Sequence, residues 1–148
     1  MTANAIEREV FIRAGIDHVW SLVSKVGFWI GEELRFDMEA VEGETTTIAT
    51  ANYGSFPVRV DRLEAPRYAA YSWASTAPGA LPTAENSTLV EFRLVEQDGG
   101  VMVHVSESGF ASLPGGPEAR AAAYDNNVGG WEQQLPRFVH IAERVVVE

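Results

Sequence analysis

The chain has 148 residues with 21 acidic and 11 basic side chains, a formal charge of −10, and 46% of its residues are hydrophobic. This balance predicts one soluble globular domain spanning residues 1–148. A pI of about 4.7 argues against the basic face that nucleic acid or an anionic membrane surface requires, so neither is an expected partner.

Several other classes are excluded by residue type and spacing. There is no cysteine, so disulfide frameworks, thiol nucleophiles and zinc–thiolate sites are ruled out. The N-terminal residues carry early charges and no apolar stretch, and no apolar run is long enough to span a bilayer, so we expect a cytoplasmic protein. The three histidines lack metal-ligand spacing and no phosphate-binding glycine loop is present, so no metal and no cofactor are expected.

The first predicted elements are a strand and a helix that follows it. Residues 5–12 alternate apolar and charged side chains, which predicts a half-buried strand. Asp17 is a candidate N-cap for a short helix with apolar residues at helical spacing. Gly27 would end that helix, and Phe28 and Trp29 would begin a second short helix.

The middle of the chain is strand-like. Apolar and polar residues alternate, and the glycine-containing segment 97–100 is typical of a hairpin turn. A long loop with two prolines, residues 76–87, interrupts the strands. Together with the first strand, these segments predict an antiparallel sheet of about seven strands. The predicted strands of this region are 34–41, 45–51, 56–66, 67–75, 88–96 and 101–110.

One long helix is predicted from Glu118 to about Val145, with a bend at Pro136, which removes one backbone hydrogen bond. Only this helix is long enough to cover the apolar face of the sheet, so the fold class is α+β. A curved sheet wrapped on one helix tends to leave a cavity between them. The apolar stripe of the helix is Tyr124, Val128, Trp131, Leu135, Phe138 and Ala142.

The order of short motifs resembles the helix-grip superfamily (SRPBCC), which includes START domains, the birch-pollen (Bet v 1) allergen type and polyketide cyclases. Within it, the chain is most similar to the branch of heat-shock chaperone ATPase activator homologues, and it looks bacterial. This resemblance implies a curved antiparallel sheet on a long C-terminal helix, with two short helices after the first strand. The residues that carry it are Asp17-His18-Val19-Trp20, Trp29, Ala65-Pro66-Arg67-Tyr68, Trp73, Thr88 to Phe92, Ser108-Gly109-Phe110 and Gly130-Trp131.

Glu107 departs from that family pattern, because the family usually has histidine before Ser-Gly-Phe. By strand parity, Glu107 shares the face of Val101, Val103 and Val105. Two interpretations stay open. The carboxyl group either lies on the apolar side of the sheet as a polar anchor in a ligand cavity, or reaches solvent or an arginine at the strand end.

The last helix presents a second group of candidates, since a phenol, an amide and an indole among apolar side chains suit ligand orientation as well as ordinary core packing. This group is Tyr124, Asn127, Val128 and Trp131. Strand parity adds weaker cavity candidates, and loops 76–87 and 111–117 would lie at the mouth. The weaker candidates are Trp29, Phe36, Met38, Tyr53, Phe56, Val58, Trp73, Val90, Phe92, Val103 and Val105.

Three functions remain open. The favoured one is binding of a small hydrophobic or aromatic molecule by a monomer or homodimer. The second is a cofactor-independent enzyme of the polyketide cyclase, aromatase or hydratase kind, in which Glu107 or Tyr124 is the acid/base group and Asn127 an oxyanion donor. The third is a co-chaperone-like interaction protein. His18 and His104 are interpreted as solvated surface histidines, and the acidic run from Glu32 to Glu44 as a solvated face.

Overall fold

The computed structural model describes residues 4–144 as a six-stranded sheet with a long helix. The fold is α+β of the helix-grip type, as the sequence predicts. The elements are β1 (Ala5–Ile12), α1 (Ile16–Val23), β2 (Thr45–Ala49), β3 (Ser55–Glu64), β4 (Tyr68–Trp73), β5 (Thr88–Gln97), β6 (Gly100–Ser108), a 3₁₀ turn (Phe110–Ser112) and α2 (Gly116–Arg144).

The sheet is antiparallel throughout, in the order β1-β6-β5-β4-β3-β2. The period-two pattern of β6 is confirmed, because residues 101, 103, 105 and 107 are buried while those between them are half-buried. The register sets Glu107 between Ile6 of β1 and Val90 of β5. It also pairs Trp73 of β4 with Thr88 of β5.

Helix α2 covers the apolar face of this sheet. Trp131, Leu135 and Phe138 are buried at the interface, and the ring of Phe28 lies 5.2 Å from Phe138 and 5.1 Å from Phe92 of the sheet. The helix continues through Pro136 without a break. Its predicted end at Val145 lies outside the described residues.

The strand predicted over residues 34–41 is wrong, which is why the sheet has six strands. This segment is irregular and bonds to the turn after α1 instead of the sheet edge. The backbone N–H of Val26 donates to the carbonyl of Met38 at 2.7 Å, and that of Ala40 to Ser24 at 3.0 Å. Alternation alone does not distinguish a sheet strand from an extended segment that packs its apolar side on the core.

The described structure has a single helix between β1 and β2, so the second short helix predicted there is wrong. Residues 26–29 form a turn in which the N–H of Ile30 donates to the carbonyl of Gly27 at 3.0 Å. The helix cap is Gly15, and Asp17 lies inside the first turn. A carboxylate in the first turn is favourable because of the helix dipole. Asp17 therefore marks the start of the helix, but the capping residue lies two positions earlier than predicted.

The two predicted surface histidines differ. His18 is half-buried, with Nε2 3.0 Å from the carbonyl oxygen of Ala142, because α1 packs beside the end of α2. Its interpretation as solvated is therefore wrong. The side chain of His104 is 44% exposed and lies 3.1 Å from the carboxylate of Glu9, as a surface residue of the outer sheet face does.

Gly27 provides a test of the turn that brings the following two aromatic residues into the core. It has φ +62°, and a Cβ atom there would lie 2.6 Å from Cγ1 of Ile48. We expect Gly27→Ala to lower the free energy of unfolding by about 1–3 kcal/mol, measured by urea denaturation, because the left-handed backbone and the displaced side chain both cost free energy.

The matched control is Gly129→Ala in α2, where an added Cβ meets nothing within 4 Å. This variant should raise the free energy of unfolding by about 0.5–1 kcal/mol through helix propensity. If Gly27→Ala were as stable as the wild type, the constraint assigned to this turn would be refuted.

Candidate functional site

Glu107 lies near the end of β6 and is fully buried, with 0% of its surface exposed. The side chain is on the apolar face of the sheet, as strand parity predicts. The alternative in which it reaches solvent or an arginine is wrong. A carboxyl group buried this completely needs hydrogen bonds from its surroundings.

Four neutral donors surround the carboxyl group. The hydroxyl of Thr88 donates to Oε2 at 2.5 Å, the indole Nε1 of Trp73 at 3.1 Å and the amide Nδ2 of Asn127 at 3.0 Å. The indole Nε1 of Trp131 donates to Oε1 at 2.8 Å. Two strands and the C-terminal helix therefore converge on one side chain of a third strand.

Burial raises the pKa of Glu107, because removal from water penalises the charged form. The hydrogen bonds from Thr88, Trp131, Trp73 and Asn127 oppose that rise, because they stabilise the carboxylate. Desolvation is the larger effect, so the carboxyl group holds its proton to a higher pH than a glutamate in water does.

A cleft of about 860 Å³ opens between α2, the end of the sheet and the loops beside them, with Glu107 in its lining. Five of its lining side chains are aromatic, and about half of the lining residues are polar or charged. The ring of Trp29 lies 6.0 Å from Trp131 in a stacked arrangement and 6.0 Å from Trp73 edge-on. Seven predicted site residues line this cleft: Trp29, Tyr53, Phe56, Trp73, Glu107, Asn127 and Trp131.

The structure places the other nine candidates elsewhere. Five are buried in the core between sheet and helix: Val58, Val90, Phe92, Val103 and Val105. Phe36 stacks on Phe28 of the core, and Met38 is 38% exposed beside a separate small pocket. Val128 packs against the core, and the hydroxyl of Tyr124 donates to the carbonyl of Ala5 at 3.3 Å. The periodicity of strands and helices distinguishes buried side chains from exposed ones. It does not distinguish the side chains of the core from those that line the cleft.

Trp29 is held in the cleft wall by α2. Nε2 of Gln134 donates to the backbone carbonyls of Trp29 and Gly31, each at 2.9 Å. The indole is only 5% exposed, and its Nε1 has no hydrogen-bond partner within residues 4–144. This buried N–H group therefore lacks the hydrogen-bond acceptor that buried donors usually have.

Sequence reasoning missed three polar contributors: Thr88, Ser75 and Gln134. Thr88 shares the strand face of Val90 and Phe92, so parity could have identified it. The Oγ of Ser75 accepts a hydrogen bond from Asn127 at 3.1 Å, and Gln134 bonds to the turn after α1. Both pairs are far apart in the sequence, so no local pattern predicts them.

The mouth of the cleft differs in part from the prediction. Thr76 and Pro78 of the long loop line it as expected. The loop 111–117 does not line it, and Gly31 and Glu32 lie there instead. Residues after α1 therefore contribute to the cleft lining, whereas the loop before α2 does not.

Two general findings complete the description of residues 4–144. No group of three or more His, Asp or Glu side chains in this range is placed to hold a metal ion. No helix in the same range is long and apolar enough to cross a membrane.

An antiparallel sheet wrapped on a long C-terminal helix, with a cleft at one end, defines the helix-grip class of SRPBCC proteins. Residues 14–143 match the family described as activator of Hsp90 ATPase homolog 1-like protein, and the chain belongs to this family. A comparison with curated proteins found no match.

Solved structures share the fold at low sequence identity. BH1534 from Bacillus halodurans is 23% identical with a TM-score of 0.70, covering 97% of this chain and 100% of that one. The Aha1 dimer from Colwellia psychrerythraea is 16% identical with a TM-score of 0.68, covering 95% and 97%. DynU16, from the dynemicin biosynthetic locus, is 22% identical with a TM-score of 0.64. Its match covers 93% of this chain, which spans only 46% of the DynU16 chain.

The buried carboxyl group of Glu107 should make the stability of the protein depend on pH. In the unfolded chain Glu107 titrates near pH 4.3, and in the folded protein its pKa is higher. Between these two values the folded state binds more protons, so this group makes stability fall as the pH rises through that window. Glu107→Gln removes the effect.

We therefore expect the stability of the wild type relative to Glu107→Gln to fall as the pH rises above about 4.3, and to level off above the raised pKa. Urea denaturation of both proteins across this pH range measures the difference, and effects of the other carboxylates are common to both. A constant difference across the range would contradict the assignment.

Proposed function

We propose that the protein binds a small aromatic or hydrophobic molecule in the cleft between the sheet and α2. The observation that carries this proposal is the cleft itself, about 860 Å³, whose lining combines five aromatic side chains with polar ones that include Glu107. Pockets of this size that join aromatic surface to placed polar groups are typical of small-molecule sites.

Tryptophan fluorescence can report on this site. Three of the four tryptophans line the cleft, at positions 29, 73 and 131. A neutral aromatic probe, 2-naphthalenemethanol, should quench their emission in a saturable titration. Replacing Trp20, which lies outside the cleft on α1, by phenylalanine should leave the binding curve unchanged and sharpen the signal.

A blocking variant gives the decisive comparison. Gly130 lines the cleft, and a Cβ atom added there meets nothing within 4 Å, so Gly130→Leu should fill space without backbone strain. We expect this variant to weaken probe binding by about tenfold or more. Ala122→Leu adds the same side chain at an exposed position of α2 outside the cleft and should bind normally. Equal binding by both variants would refute the cleft as the site.

A second candidate is catalysis in the same cleft, favoured by the raised pKa of Glu107, because perturbed carboxyl groups in clefts often serve as acids or bases. Likeness to a protein from the dynemicin biosynthetic locus is compatible with it. Of the predicted catalytic groups, Glu107 and Asn127 line the cleft, whereas Tyr124 does not. Recovery of a chemically altered aromatic compound from the wild type, and of unaltered compound from Glu107→Gln, would favour this candidate.

The co-chaperone alternative rests on the description of the family. We rank ligand binding above a co-chaperone role because ligand binding is supported by the geometry of the cleft.

A further inference from the structure

The carboxyl group of Glu107 is hydrogen-bonded but has no cationic partner. All four of its partners are neutral donors: a hydroxyl, an amide and two indoles. Within residues 4–144, the carboxyl group has no lysine, arginine or histidine nitrogen within 4.0 Å. Ionising a buried carboxyl group without a cationic partner is costly, and a positive charge brought into the cleft would reduce that cost.

The two carboxyl oxygens are unequally occupied. Oε2 accepts from Thr88, Trp73 and Asn127, whereas Oε1 accepts only from Trp131. Oε1 is therefore the less occupied oxygen and can accept a further donor. Glu107 is part of the cleft lining, but 0% of its surface is exposed. A donor that enters the cleft reaches Oε1 only by displacing the side chains that cover the carboxyl group.

The rest of the cleft also favours a cation. Its charged lining residues are the carboxylates Glu32, Asp125 and Glu107 against one guanidinium, Arg137. One Nη of Arg137 is occupied by the carbonyl of Glu32 and by Oε1 of Gln134. The tryptophan rings of the walls carry negative π faces, which attract cations most strongly where water is excluded.

We propose that the natural ligand carries a protonated amino group on its aromatic or apolar body, and that this group donates to Oε1 of Glu107. The proposal rests on the proposed function and specifies its ligand class. Where Glu107 holds a proton in the free protein, binding of the cation transfers that proton to solvent. The affinity for an amine should therefore rise with pH.

Within residues 4–144, no other titratable group is hydrogen-bonded to the carboxyl group or shifts its pKa. The titratable side chains elsewhere in the cleft are Glu32, Tyr53, Asp125 and Arg137. The residues that face Glu107 from β1, β4, β5 and α2 do not titrate. They are Ile6, Trp73, Thr88, Val90, Asn127 and Trp131.

The test uses three probes with one aromatic body: 2-naphthylmethylamine, 2-naphthalenemethanol and 2-naphthoic acid. We expect the amine to bind about tenfold tighter than the alcohol near pH 8, and the acid to bind most weakly. The preference for the amine should shrink as the pH is lowered through the raised pKa of Glu107, because more of the carboxyl group is then protonated. Fluorescence titration or calorimetry measures all three affinities.

The variants separate the carboxyl group from the overall charge. Glu107→Gln should bring the amine and the alcohol to within about twofold of each other. Glu118→Gln removes the same charge at an exposed position on α2 outside the cleft and should keep the full preference. A preference that survives in Glu107→Gln would overturn the role of Glu107.

The remaining outcomes are distinguishable. If the amine and the alcohol bind the wild type equally, the cation proposal fails and the proposed function stands. If none of the three probes binds, the proposed function fails and this inference fails with it. If Glu107→Gln does not fold, the wild-type pH series decides, because a preference independent of pH would overturn the proposal.

Discussion

The structure depends on one buried carboxyl group and the four neutral donors that enclose it. Glu107 on β6 joins Trp73 of β4, Thr88 of β5, and Asn127 and Trp131 of α2. Losing the carboxyl group would leave all four donors without this acceptor, and an unsatisfied buried donor costs about 1–3 kcal/mol. The same network ties α2 to three neighbouring strands beside the cleft.

Much of the fold could be predicted from the sequence because it is periodic. Alternation along β6 placed Glu107 on the apolar face, and the stripe of α2 placed Trp131 beside it. The segment 34–41 has a comparable pattern but forms no sheet strand, because its backbone bonds to the turn after α1. Periodicity reports which side of a segment is buried, and it does not report which neighbour satisfies the backbone.

The candidate site was predictable only in part. Trp29, Trp73 and Glu107 line the cleft as expected, yet Phe92 and Val105 have the same parity and belong to the core. The difference arises where the sheet and helix diverge, which is a property of the whole fold. Gln134, which holds Trp29 in the cleft wall from more than one hundred residues away, illustrates why. Contacts at that sequence separation leave no local signal.

Burial raises the pKa of Glu107 above that of a glutamate in water. Nuclear magnetic resonance of protein labelled with carbon-13 at the glutamate carboxyl positions measures this pKa, with Glu107→Gln assigning the resonance. We expect one glutamate carboxyl to titrate above the others, with a resonance that is missing in the variant. If every glutamate carboxyl titrated together near pH 4.3, as in water, the assignment of a raised pKa to Glu107 would be contradicted.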